Sequence, residues 1–424
     1  MKEVNFCYGK GTMKGCFEDE RLLGVLESHL HSYTPEKSET ELVRDAILNP
    51  VSSPRLCEMV KGKKNIVIIA SDHTRPVPSK IIMPLMLEEI RRGAPNADIT
   101  ILIATGCHRG TTKAELIDKF GEEIVEKEKI AIHDCLDSKN MVALGTLPGG
   151  GELFINRIAA ECDFLCAEGF IEPHFFAGFS GGRKSVLPGV AARDTVLANH
   201  CSKFIADENS RTGVIEGNPI HTDMLFAAKK ANLNFIVNVV LGAQKQVLYA
   251  VAGDCDEAHK KGVEFLNNYA QVDAIPCDIA ISTNGGYPLD QNIYQAVKGM
   301  TAAEATVKEG GVVIMLASST DGHGGESLYD TFKSEPSDEK LMDMFLKTPA
   351  DKTLPDQWQA QILVRILCKN KVIYISEMPD ELIREFHMIP AHSIDEAIKI
   401  ADEILGFKGT VTAIPDGIAV IVKK

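Results

Sequence analysis

The chain has 424 residues, 45% of them hydrophobic and 25% charged, an ordinary globular composition long enough for two or three domains with cores of their own. A net charge of -14 without any Lys/Arg block argues against nucleic acid or an anionic membrane as a partner. A small anionic substrate stays open, because one local Arg or Lys outweighs a global deficit.

At the start, Met1 to Phe6 has no apolar h-region, so no signal peptide is expected. No apolar run approaches the ~20 residues of a membrane-spanning helix. Asn65–Ser71 reads as a buried strand and Ser79–Arg92 as the helix after it. Asp98–Ala104 is a second strand, followed by a helix over Lys113–Phe120. Asp163–Gly169 and Asn234–Val240 are further strands, and Glu257–Tyr269 is a helix. The pattern restarts after Pro276 with a strand at Asp278–Thr283 and a helix over Asn292–Lys298. Gly311–Ala317 and Lys371–Ser376 are strands, and Ser393 caps a late helix. Short apolar strands alternating with helices predict mainly parallel sheets. The expectation is an α/β chain of two domains, 1–272 and 273–405, with an active-site cleft between them. The strand-like 406–424 returns to either one. The eleven cysteines are scattered and odd in number, which reads as reduced thiols of a cytoplasmic protein.

In open α/β sheets ligands bind beyond the carboxyl ends of strands, and four loops there carry reactive side chains. They are Ser71–Pro76, Thr105–Gly110, Glu172–Lys184 and Thr283–Pro288, the last leading to Tyr294, Gln295 and Lys298. In the third, Gly178, Gly181 and Gly182 either cradle a phosphate or make a tight turn. A P-loop fails because Arg183 stands where a Gly should precede Lys184. Lys184 is either an anion-binding lysine or a covalent anchor. His108 and His174 each follow a strand, and two histidines on opposite sides of one carbon suit inversion of configuration. His200 is a candidate metal ligand or an ordinary packed histidine. With no HExxH or paired CxxC, the chain offers no full cage for a metal. Arg75 and Lys298 are candidate carboxylate binders. Trp358, the single tryptophan, either walls a pocket or fills a core.

Several of these runs resemble the lactate racemase family: DHTRPVP from Asp72 to Pro78, GCHR from Gly106 to Arg109, HFFAGFSGGRKSVLPG from His174 to Gly189, Asn199 with His200, and STNGGYPLDQNIYQAVKG from Ser282 to Gly299. The likeness covers nearly the whole chain. It implies a nickel-pincer nucleotide, a pyridinium-3-thioamide-5-thiocarboxylic acid mononucleotide, tethered to Lys184, with nickel bound by three cofactor atoms and His200. It further implies His108 and His174 as the catalytic pair. Asp72 would hold the ribose, and Phe176 would pack on the pyridinium. Arg75, Tyr294, Gln295, Lys298 and Trp358 would contact the substrate. The partners implied are a small 2-hydroxy acid and the cofactor-synthesis enzymes.

The C2 hydrogen of a 2-hydroxycarboxylate is hardly acidic, so loss of hydride with loss of the hydroxyl proton is the easier route. D- and L-lactate would interconvert through pyruvate. Three rivals stand beside this: a racemase for another 2-hydroxy acid, a nicotinamide-dependent dehydrogenase, and a nickel- or nucleotide-storage protein. The dehydrogenase lacks its GxGxxG signature here.

Overall fold

The computed structural model describes residues 1–423, the His31 side chain excepted, as two compact units. One comprises 30–200 and 209–269; the other comprises 1–29, 201–208 and the chain from 270 onward. The first strand to enter either large sheet is β1 (Leu22–Val25).

The 30–269 unit is built on β2 (Asn65–Ser71), β3 (Asp98–Ala104), β4 (Lys129–Ile132), β5 (Phe164–Phe170), β6 (Leu233–Leu241) and β7 (Val247–Gly253). Their order is β7-β6-β5-β2-β3-β4, and β7 alone is antiparallel. Ile66 to Ala70 are buried throughout, as a strand covered on both faces requires. The helix Ser79–Gly93 after β2 buries Ile82, Met83, Met86 and Ile90 in the same core. The winding reverses between β2 and β5, so their carboxyl ends flank a topological switch point.

The second unit holds β8 (Cys277–Thr283), β9 (Val307–Leu316), β10 (Lys371–Ile375), β11 (Ile389–Ala391) and β12 (Val411–Ile414). Their order is β11-β10-β9-β8-β12-β1, every pair parallel. Its reversal lies between β8 and β12. Ser393 caps the helix Ile394–Leu405, its side chain accepting from the Glu396 N–H.

A single cut near residue 272 does not describe this division. Residues 1–29 join the second unit because β1 lies beside β12, with Leu22 opposite Val411. A strand paired with another almost four hundred residues away leaves no mark on local periodicity. The end of the chain stays with the second unit too: β12 pairs with β8, and Ile421–Lys423 pairs with Gln271–Asp273.

Candidate active site at the sheet switch points

β2 and β3 run in step, Ser71 opposite Ala104, so their following loops start at one level. Asp72 is 1% exposed. Its Oδ1 accepts from the Thr74 N–H at 3.1 Å and the Thr74 hydroxyl at 2.7 Å. Its Oδ2 lies 2.7 Å from His108 Nδ1. Burial pushes the Asp72 carboxyl up, but hydrogen bonds from His108 and Thr74 and the charges of His108 and Arg75 outweigh it and hold it below its ordinary value. An ionised carboxylate can only accept, so a neutral His108 carries its proton on Nδ1 and has its lone pair on Nε2.

Arg75 is exposed, and its backbone N–H closes the turn onto the Asp72 carbonyl at 3.3 Å. Behind it, Lys119 donates to the Arg75 carbonyl at 3.2 Å. Burial pushes the Lys119 amine down, against the pull of Glu168 and Asp72. Glu168, buried in β5, accepts from the Ser79 hydroxyl at 2.5 Å, and burial pushes its carboxyl up. Neither Lys119 nor Glu168 stands out in the sequence. Thr74 does in retrospect: an Asp with a Thr two places on is a side-chain turn signal.

Past β5 the chain makes a small hairpin, His174 opposite Gly178. Gly178 has φ +77°, and a Cβ there would lie 2.2 Å from the Val214 carbonyl oxygen. The Gly182 N–H donates to Asn238 Oδ1 at 2.7 Å, so that donor is spent inside the protein. These two glycines serve a tight turn. Arg183, 1% exposed, is the strut beneath it, donating to the Ala177 carbonyl at 2.8 Å and to His259 Nε2 at 2.9 Å. A glycine there would remove the strut, which accounts for the departure from a P-loop.

The same turn sets His174. The Ala177 N–H donates to its Nδ1 at 3.3 Å, so a neutral His174 carries its proton on Nε2. The Phe176 ring is the hub of the group. Its centroid lies 4.5 Å from that of His174, 5.1 Å from that of His200 and 5.9 Å from Lys184 Nζ. His200 closes the helix Arg193–Asn199, its N–H on the Val196 carbonyl. Burial, then the charge of Lys184, pushes its imidazole down to about 3, so at neutral pH it is an uncharged imidazole, the form that binds metals. Among the described residues no three His, Cys, Asp or Glu gather to hold a metal ion. One neutral buried imidazole, one amine and one aromatic face fit a group that brings most of its own donors.

In the second unit, Asn292 caps the helix Ile293–Thr306 by accepting from the Gln295 N–H at 2.9 Å. Tyr294, Gln295 and Lys298 lie in its first two turns. Lys298 Nζ donates to Gln295 Oε1 at 2.6 Å. The Tyr294 hydroxyl donates to Asp356 Oδ1 at 3.0 Å, and the Gln359 side chain donates to the Tyr294 carbonyl. Both partners flank the half-buried Trp358 at the start of the helix Gln357–Leu367. The structure thus gathers Asp72 with His108, gathers His174, Phe176, Lys184 and His200, and ties the Tyr294 turn to that of Trp358.

The chain matches the lactate racemase N-terminal domain over residues 8–213 and the lactate racemase C-terminal domain over 272–422. It is 52% identical to a lactate racemase of Thermoanaerobacterium thermosaccharolyticum and 51% identical to one of Lactiplantibacillus plantarum, each over the full length of both chains. The solved structure of the lactate racemase apoprotein from Thermoanaerobacterium thermosaccharolyticum superposes with a TM-score of 0.96 at 52% identity, again covering both chains completely.

Proposed function

The chain belongs to the lactate racemase family, and from that premise we propose that it is an isomerase interconverting D- and L-lactate, with His108 and His174 exchanging the hydroxyl proton. The observation that carries this reading is the opposite tautomer set for the two neutral imidazoles: Asp72 puts the lone pair of His108 on Nε2, while the Ala177 N–H puts the proton of His174 on Nε2.

Lys184 would tether a nickel-pincer nucleotide, His200 would ligate its nickel, and the Phe176 ring would pack on its pyridinium. When bound, that group supplies the acceptor and donor of the C2 hydride. His108 takes the hydroxyl proton, and Asp72 stabilises the imidazolium that results. The keto acid left behind is pyruvate for lactate. Arg75 and Lys298 hold the carboxylate while the planar keto carbon presents its other face, and the proton returns to oxygen from the other histidine. Asp72 has both oxygens engaged by Thr74 and His108, so its first duty is to the imidazole, with any ribose contact added to that. We place the enzyme in the cytoplasm on the scatter and odd number of its eleven cysteines; among the described residues no helix is long and apolar enough to cross a membrane.

The test is chiral chromatography of each lactate enantiomer after incubation with protein co-produced with nickel and the cofactor-synthesis enzymes. Conversion in both directions, abolished in Lys184→Ala, supports the reading. A Lys184 mass adduct with bound nickel but no conversion moves the substrate to another 2-hydroxy acid. Solvent deuterium entering C2 at every turnover would falsify the hydride route.

A further inference from the structure

Cys107 stands one residue before His108, in the turn that His108 closes by donating its N–H to the Thr105 carbonyl at 2.9 Å. Cys135 follows β4 two residues past His133. The two segments are stitched together: the His133 N–H donates to the Ile103 carbonyl at 3.1 Å, and the Thr105 hydroxyl donates to the His133 carbonyl at 2.6 Å. This stitching sets the two cysteines on neighbouring loops, where the Cys107 side chain acts on the Cys135 thiol. Cys107 is exposed and Cys135 half-buried, so small solutes reach them. No mechanistic step above uses either one.

We propose that Cys107 and Cys135 are a redox-sensitive dithiol, oxidised to an intrachain disulfide by low-molecular-weight disulfides, and that this bond pulls His108 off Asp72. The Cys107 side chain, and then the charge of Arg193, hold the Cys135 thiol below its ordinary value, so it is more readily a thiolate than an ordinary cysteine. Burial pushes Cys162 up to about 11 and Cys255 up to about 12, so those thiols stay protonated and inert. The Cys135 thiolate attacks one sulfur of the oxidant and expels the other as a thiolate. Cys107, deprotonated by solvent, then attacks the Cys135 sulfur of the mixed disulfide and expels the second thiolate. Two protein thiols are oxidised and one small disulfide is reduced to two thiols. Bond formation draws the sulfurs inside their contact distance, and the turn that moves Cys107 moves His108 too. The disulfide itself is independent of the racemase reading; its effect on turnover rests on the role proposed for His108.

The test incubates the full chain, with and without bound cofactor, in glutathione buffers of rising oxidised fraction, followed by peptide mass spectrometry. The expected result is a Cys107–Cys135 crosslink ahead of modification elsewhere, reversed by dithiothreitol. Cys107→Ser should stop at glutathione on Cys135, and Cys135→Ser should form no crosslink. In the loaded enzyme, racemisation should fall by at least about tenfold as the crosslink forms and recover on reduction, while Cys135→Ser resists the oxidant. Scattered glutathionylation without the crosslink overturns the site. A complete crosslink with undiminished turnover overturns the coupling to His108. A reduced, loaded enzyme with no turnover counts against the racemase reading alone, since the crosslink is read by mass.

Discussion

The two switch points hold their side chains by different means. At the ends of β2, β3 and β5 each group is fixed from behind: His108 by Asp72, Asp72 by Thr74, His174 by the Ala177 N–H, and the turn after His174 by the buried Arg183. In the second unit, Tyr294, Gln295 and Lys298 are spaced along one helix and lean on each other and on Asp356. Proton transfer depends on which ring nitrogen carries the proton, so it needs rigid partners. In the proposed reaction, holding a carboxylate needs only charge within reach, which one helix would supply and single substitutions would retune.

The sharpest way to break the contrast is Lys184→Ala, which should remove both the covalent adduct and all racemisation while leaving the fold intact, read by intact mass and chiral chromatography. Asp72→Asn comes next. It puts a carboxamide where a carboxylate holds the His108 proton, and kcat should drop about 100- to 10,000-fold with little change in KM. An unchanged pH–rate profile in that variant would mean Asp72 does not set the imidazole.

Lys298→Ala should do the reverse, raising KM by roughly tenfold or more with kcat less affected, the loss of one charge-assisted hydrogen bond. If kcat carries the whole effect, the two units do not divide the work as described. A smaller effect separates the units by pH. The folded Asp72 value is depressed by His108 and Thr74, so its stabilisation is present above the unfolded value near about 3.9 and fades as pH falls through the folded one. Urea unfolding through that range should show Asp72→Asn losing less stability on acidification than the parent chain. The smallest is Thr112→Ala, which removes the capping box with Glu115 that starts the helix after the His108 loop. It should cost about 1 kcal/mol by thermal unfolding, with turnover nearly unchanged.

Where a signal is local, the sequence carries it. Asn65–Ser71, Asp98–Ala104 and Lys113–Phe120 form over the residues that periodicity predicts. The predicted helix at Asn292 starts one residue later and runs on to Thr306. Glycine-containing β1 and the short β4 have too little pattern to be read, and the antiparallel β7 breaks the alternation that revealed its neighbours. The reactive loops were legible because they follow apolar runs directly. The links between them were not. Asp72 and His108 are 36 residues apart, Arg183 and His259 are 76 apart, and nothing in composition says that Arg183 turns inward while Arg75 stays exposed.

The pairing of β1 with β12 also matters while the chain is being made. Residues 22–25 leave the ribosome almost four hundred residues ahead of their neighbour at Val411. At about 5–20 residues per second, that strand waits on the order of a minute without its partner. Its four residues, one of them glycine, offer little edge for a wrong partner to extend. A piece of the chain beginning at 270 would present the opposite hazard, an uncovered β12 edge in an otherwise parallel sheet.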